Sequence, residues 1–87
     1  MRFELQAGTH TCTLTEKTCS SSNKFTIPIP REALIGGLAH VLARPETRDH
    51  KVGEVFIDRM RDGLRINVGA GSYIIPYSYL YPIVMAD

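Results

Sequence analysis

Glu54-Val-Phe-Ile-Asp-Arg-Met-Arg-Asp-Gly-Leu-Arg-Ile-Asn-Val68 decides the fold. Two alternating strand patterns flank Asp62-Gly63, a pair of residues that suits a hairpin turn. Register then decides which side chains meet the core, because a slip of one residue exchanges the faces. A two-residue loop at Asp62-Gly63 pairs Arg61 with Leu64 and Arg59 with Ile66, which sets arginines among core residues. A three-residue loop with Gly63 in a bulge pairs Met60 with Leu64. It collects Phe56, Met60, Leu64, Ile66 and Val68 on one face and is preferred. Asp58 is left on that apolar face, and Arg59 stands opposite Arg65 on the outer one.

Upstream, Phe3 and Leu5 alternate with Arg2, Glu4 and Gln6, and Cys12 and Leu14 alternate with Thr11, Thr13 and Thr15. Both stretches read as half-buried strands joined near Gly8. Thr18 to Asn23 is a polar loop and the best candidate for a mobile segment. Phe25, Ile27 and Ile29 alternate with Thr26, Pro28 and Pro30, so this piece is an edge strand or an extended lead-in. A helix follows over about Arg31 to Ala43, with Leu34, Ile35, Leu38, Val41 and Leu42 as its apolar stripe and Pro45 as its stop. Gly36-Gly37 interrupts it at roughly 0.8–1 kcal/mol per glycine relative to Ala. Close packing of helix on sheet explains that pair better than a kink or a partner surface. Glu46 to Gly53 is an exposed connector.

Beyond the hairpin, Gly69-Ala70-Gly71-Ser72 is a turn, and Tyr73 to Met85 is apolar and extended, kept near an edge by Pro76 and Pro82. If it is extended throughout, Tyr73, Tyr77, Tyr79 and Tyr81 project to one side. The order is β-β-(extended)-α-β-β-β. It predicts a single small α+β domain over residues 1–87, with a mostly antiparallel sheet of four to five strands and one α-helix packed on one face.

The 87 residues carry a net charge of +1, with 44% hydrophobic and 22% charged residues. These values fit one globular domain and argue against a general nucleic-acid or membrane coat. The opening Met1-Arg2-Phe3-Glu4-Leu5 lacks the apolar core of a signal peptide, and no run approaches the roughly 18 residues of a membrane span. A cytoplasmic location is expected. Cys12 and Cys19 are expected to be free thiols. His10-x-Cys12 with Cys19 lacks the paired knuckles of a zinc site, so no metal and no cofactor are expected.

His10, His40 and His50 lie in separate elements, and Ser20, Ser21 and Ser22 lack a nucleophile elbow. Asp58 is the best carboxylate for chemistry, yet one sheet with one helix offers little concavity. An enzyme is therefore not expected. Seven of the ten basic residues are arginine, and Arg59, Arg61 and Arg65 gather on the hairpin. With Tyr73, Tyr77, Tyr79 and Tyr81 they compose a surface of the residue types enriched at binding hot spots. The leading expectation is a small non-enzymatic binding protein, an inhibitor, adaptor or immunity-type regulator of the kind phage and mobile elements encode. Its partner is another protein with a locally acidic surface, or a second copy paired through the C-terminal edge strand. A single-strand nucleic-acid module using the same Arg/Tyr sheet face is the alternative.

Overall fold

A computed structural model describes residues 2–69 and 71–85. The chain is α+β and mostly strand. β1 (Arg2–Ala7), β2 (Cys12–Lys17) and β3 (Ser22–Ile27) form one antiparallel sheet in that order. α1 (Arg31–Ala43) follows. β4 (Asp49–Val52), β5 (Val55–Arg59), β6 (Gly63–Val68) and β7 (Gly71–Pro76) form the second antiparallel sheet, and α2 (Tyr77–Val84) closes the described chain. Cys12, Leu14 and Ile27 from the first sheet join Leu34, Leu38 and Val41 of α1 in one buried cluster. Val55, Ile57, Leu64, Ile66 and Ile75 of the second sheet complete it, with Leu80 and Ile83 of α2.

Much of the sequence pattern maps directly onto this architecture. Leu5 lies opposite Leu14 and Leu14 opposite Phe25, so the alternating apolar residues share one face of the first sheet. β3 ends at Ile27, before Pro28 would leave a gap in the ladder. Pro30 precedes the first turn of α1, and Arg44 caps its end through a backbone bond to Val41. Cys12 and Cys19 are free thiols, one buried and one exposed. Burial pushes the Cys12 thiol up to about 11.

Four expectations are corrected. First, the β5–β6 register pairs Ile57 with Ile66, Asp58 with Arg65 and Arg59 with Leu64. The turn closes through Met60 N–H to the Gly63 carbonyl at 2.9 Å, so its central residues are Arg61 and Asp62. Val55 and Ile57 face the core, while Phe56 and Asp58 face outward. Second, the polar loop is shorter than Thr18 to Asn23: Thr18–Ser21 is a turn, tied by Thr18 N–H to the Ser21 carbonyl at 2.9 Å, and β3 starts at Ser22. Third, the 46–53 connector contains β4, whose His50 pairs with Ile57. The sheets therefore hold three and four strands instead of one sheet of four to five.

Fourth, the C-terminal segment is extended only to Pro76 and is helical from Tyr77. Pro76 has φ −59 at the N-cap, a conformation that leads readily into a helix. Leu80 and Ile83, three residues apart, then share a buried face. Helical spacing replaces the common tyrosine stripe: Tyr77 and Tyr81 fall on one side and Tyr79 on another. The C-terminal edge available for strand pairing shrinks to β7.

The glycine pair in α1 divides by role. A Cβ on Gly37 would lie 2.6 Å from Val52 Cγ2 and 2.9 Å from Ile57 Cδ1, whereas one on Gly36 meets nothing within 4 Å. Gly37 thus permits the close approach of α1 to β4 and β5. Gly36→Ala is expected to stabilise the fold by about 1 kcal/mol through helix propensity. Gly37→Ala should destabilise it by about 1–3 kcal/mol through overpacking. Urea midpoints of the two variants test this opposition; equal shifts would remove the packing role of Gly37.

Candidate functional site

The antiparallel register divides the four-stranded sheet into two faces. His50, Val52, Val55, Ile57, Arg59, Leu64, Ile66, Tyr73 and Ile75 share the face toward the core. The outer face is built in two cross-strand rows: Lys51, Phe56, Asn67 and Ser72, then Asp49, Asp58, Arg65 and Ile74. Phe56 is 48% exposed and Ile74 46% exposed, and both are large apolar side chains. Between them lies a hydrogen-bonded centre. Arg65 Nη2 donates to Asp58 Oδ2 at 2.8 Å, and Asn67 Nδ2 donates to the same oxygen at 2.7 Å. Lys51 Nζ sits 5.6 Å from the Phe56 ring centroid, within reach of a cation–π contact. Lys51 and Arg65 are matched by Asp49 and Asp58, so the face has no net charge.

The arginine and tyrosine set is dispersed. Arg59 turns inward and caps the end of α1. Its Nη2 donates to the Val41 carbonyl and, at 3.1 Å, to that of Arg44, while Nε donates to Thr47 at 3.1 Å. Arg61 is exposed at the hairpin tip. Arg65 belongs to the outer face and is paired with Asp58, not opposed to Arg59. Tyr73 bridges the two sheets, packing edge-on against Phe3 at 6.1 Å and tilted against Phe25 at 5.8 Å. Burial and a hydrogen bond to the Glu16 carboxylate raise its hydroxyl well above the ordinary tyrosine range.

Tyr77 donates to the Met60 carbonyl at 2.6 Å, and Tyr79 packs on Phe3 with centroids 5.0 Å apart. Tyr81 is 60% exposed. With Ala39, Leu42, Ala43, Val84 and Met85 it lines an apolar groove of about 290 Å³ between the helices. Of the seven residues, Arg61 and Tyr81 are exposed and Arg65 is partly exposed on the outer face, and the three lie in different places.

Two features escaped the sequence pattern. Phe56 and Ile74 were hidden by the register and by the assumption of a tyrosine stripe. The stacked pair His40–His50, with centroids 4.3 Å apart and rings inclined by 22°, joins residues from α1 and β4. Burial and the neighbouring His50 hold His40 below the usual histidine range; Arg44 acts the same way and Glu46 opposes it. Neither a protein-family model, nor a curated protein, nor a solved structure matches this chain.

Proposed function

We propose that this chain is a small binding protein, acting without catalysis, that holds another protein against the outer face of its four-stranded sheet. The observation that carries this reading is the pairing of Phe56 and Ile74, each about half exposed, around the Arg65–Asp58–Asn67 centre. Apolar anchors around an internally satisfied polar group resemble the organisation of a protein contact. The fitting partner surface is apolar at its middle, with a carboxylate placed to meet Arg61 or Lys51. Full strand addition is less favoured than side-chain contact on this face, because β4 is short and carries Asp49 and Lys51. Roles as an inhibitor, adaptor or immunity-type regulator are all consistent with occlusion of a partner's surface.

A second reading has one observation in its favour: an exposed Phe56 ring beside Lys51 on an antiparallel sheet is a stacking platform for single-stranded nucleic acid. Asp58 at the centre of the face opposes it by repelling phosphates.

The test compares proteins captured from native lysate by the wild type and by Phe56→Ser/Ile74→Ser. Both positions are exposed, so the double variant should keep its circular dichroism spectrum and melting profile. A partner retained by the wild type and lost by the folded variant supports the sheet face; the same partner retained by both overturns it. Binding of a generic oligonucleotide that weakens steeply with salt would favour the second reading.

A further inference from the structure

α1 and β4 run antiparallel, and their residues meet in rungs. Gly37 lies over Val52, and His40 stacks on His50. The next rung is Arg44, the C-cap of α1, whose Nε reaches His40, with Arg48, which lies just before β4 and two residues from His50. Two bonds place this rung beside the same residue: Arg59 Nη2 donates to the Arg44 carbonyl at 3.1 Å, and Arg59 N–H donates to the Arg48 carbonyl at 2.7 Å. The seam is tight at Gly37 and bordered by exposed arginines at its other end.

We propose that this seam, lined by His40, Arg44, Arg48 and His50, binds a phosphate group, either orthophosphate or a phosphate monoester. Two guanidinium forks supply fixed N–H donors suited to phosphate oxygens. Two imidazoles add donors and positive charge when protonated. Among the described residues, neither Arg44 nor Arg48 forms an ion pair. Arg44 Nε donates instead to His40 Nδ1 at 3.3 Å, a neutral acceptor in place of a carboxylate. Arg59, reaching in from β5, occupies the free carbonyls at the end of α1 and so offsets the negative end of the helix dipole that would repel an anion. Glu46, in the turn after α1, is the acidic group acting on His40. Asp49 faces the opposite side of the sheet.

His40 protonation is disfavoured by burial, by His50 and by Arg44; a bound phosphate anion would act in the opposite sense. Binding and protonation of His40 are then linked, so phosphate should raise the His40 midpoint.

The experiment follows the His40 ring signals by NMR across a pH titration, in phosphate and in chloride at equal ionic strength. At saturating phosphate the His40 midpoint is expected to rise by about one pH unit, equivalent to about tenfold tighter binding by the seam protonated at His40. Arg44→Gln/Arg48→Gln should lose that rise. If the double variant does not fold, Arg48→Gln alone, at an exposed position just before β4, should reduce it. An unchanged midpoint in the wild type, or an equal rise in a folded arginine variant, overturns the proposal. Phe56 and Ile74 lie on the other face of the sheet, so this result is independent of the protein-binding test.

Discussion

Gly63→Ala is expected to cost about 3 kcal/mol or more, a large share of the roughly 4–13 kcal/mol available to a domain of this length. A Cβ at Gly63 would overlap the Ile75 carbonyl oxygen and lie 2.8 Å from its carbon and 2.9 Å from Pro76 Cα. The obstacle is backbone, which cannot rotate aside as a side chain can. β6 and β7 would have to separate at the Gly63–Pro76 pair. The next pair is Leu64–Ile75, both fully buried, so the damage reaches the core directly. A urea titration should show a markedly lower midpoint, and hydrogen exchange should show the β6–β7 ladder opening first. A midpoint within experimental error of the wild type would mean that the strands can part here at little cost. Gly63 is thus required for close approach of two strands; it is not among the glycines with positive φ.

Arg59→Met is the second large effect, with an expected loss of about 2–4 kcal/mol. The substitution keeps an unbranched apolar stem and removes the guanidinium that serves the carbonyls of Val41, Arg44 and Thr47. Hydrogen bonds to a charged group contribute about 1.5–3 kcal/mol, and partly buried carbonyls left unpaired add to the loss. Arg59 is itself partly solvent-accessible, which keeps the total below the sum of three separate bonds. Amide exchange should accelerate in the last turn of α1, where the cap is lost. Arg59→Lys, with one ammonium in place of a planar fork, should recover only part of the stability. Arg65→Met provides the contrast. Its ion pair with Asp58 is half-exposed, and its loss should cost at most about 1 kcal/mol. Equal effects at the two positions would contradict the division of labour between them.

These two arginines show how far the sequence could be read. The hairpin was evident from alternation on both sides of Asp62-Gly63, and α1 was bounded by Pro30 and Pro45. Register was harder because it depends on where Arg59 finds its partners. An arginine on the apolar face looks unfavourable until the end of α1 is placed above it and its carbonyls need donors. With Arg59 inward, Val55 and Ile57 follow, and Phe56 and Asp58 must turn out. That one-residue difference in register also sets the candidate surface: Arg65 stays on the outer face in either register, while Phe56 reaches it only in the observed one.

α2 presents the same problem in another form. Tyr77-Ser-Tyr-Leu-Tyr-Pro-Ile-Val is rich in residues that suit strands, and its intrinsic preference for helix is weak. Burial of Leu80 and Ile83 beneath a helix packed on α1 and β1 overrides that preference. The four tyrosines then separate into a sheet bridge, a hairpin anchor, an aromatic contact and an exposed groove wall.

From sequence alone came the α+β class, the antiparallel hairpins, the limits of α1 and the apolar alternation of β1 and β2, because each depends on residues near one another in the chain. Tertiary structure decided the split into two sheets, the register of β5 on β6, the helical end and the seam that brings His40 to His50. Those features depend on which distant surfaces meet: a carbonyl awaiting a donor, a glycine admitting a neighbouring strand, or an apolar face that can be buried only after the other elements have packed.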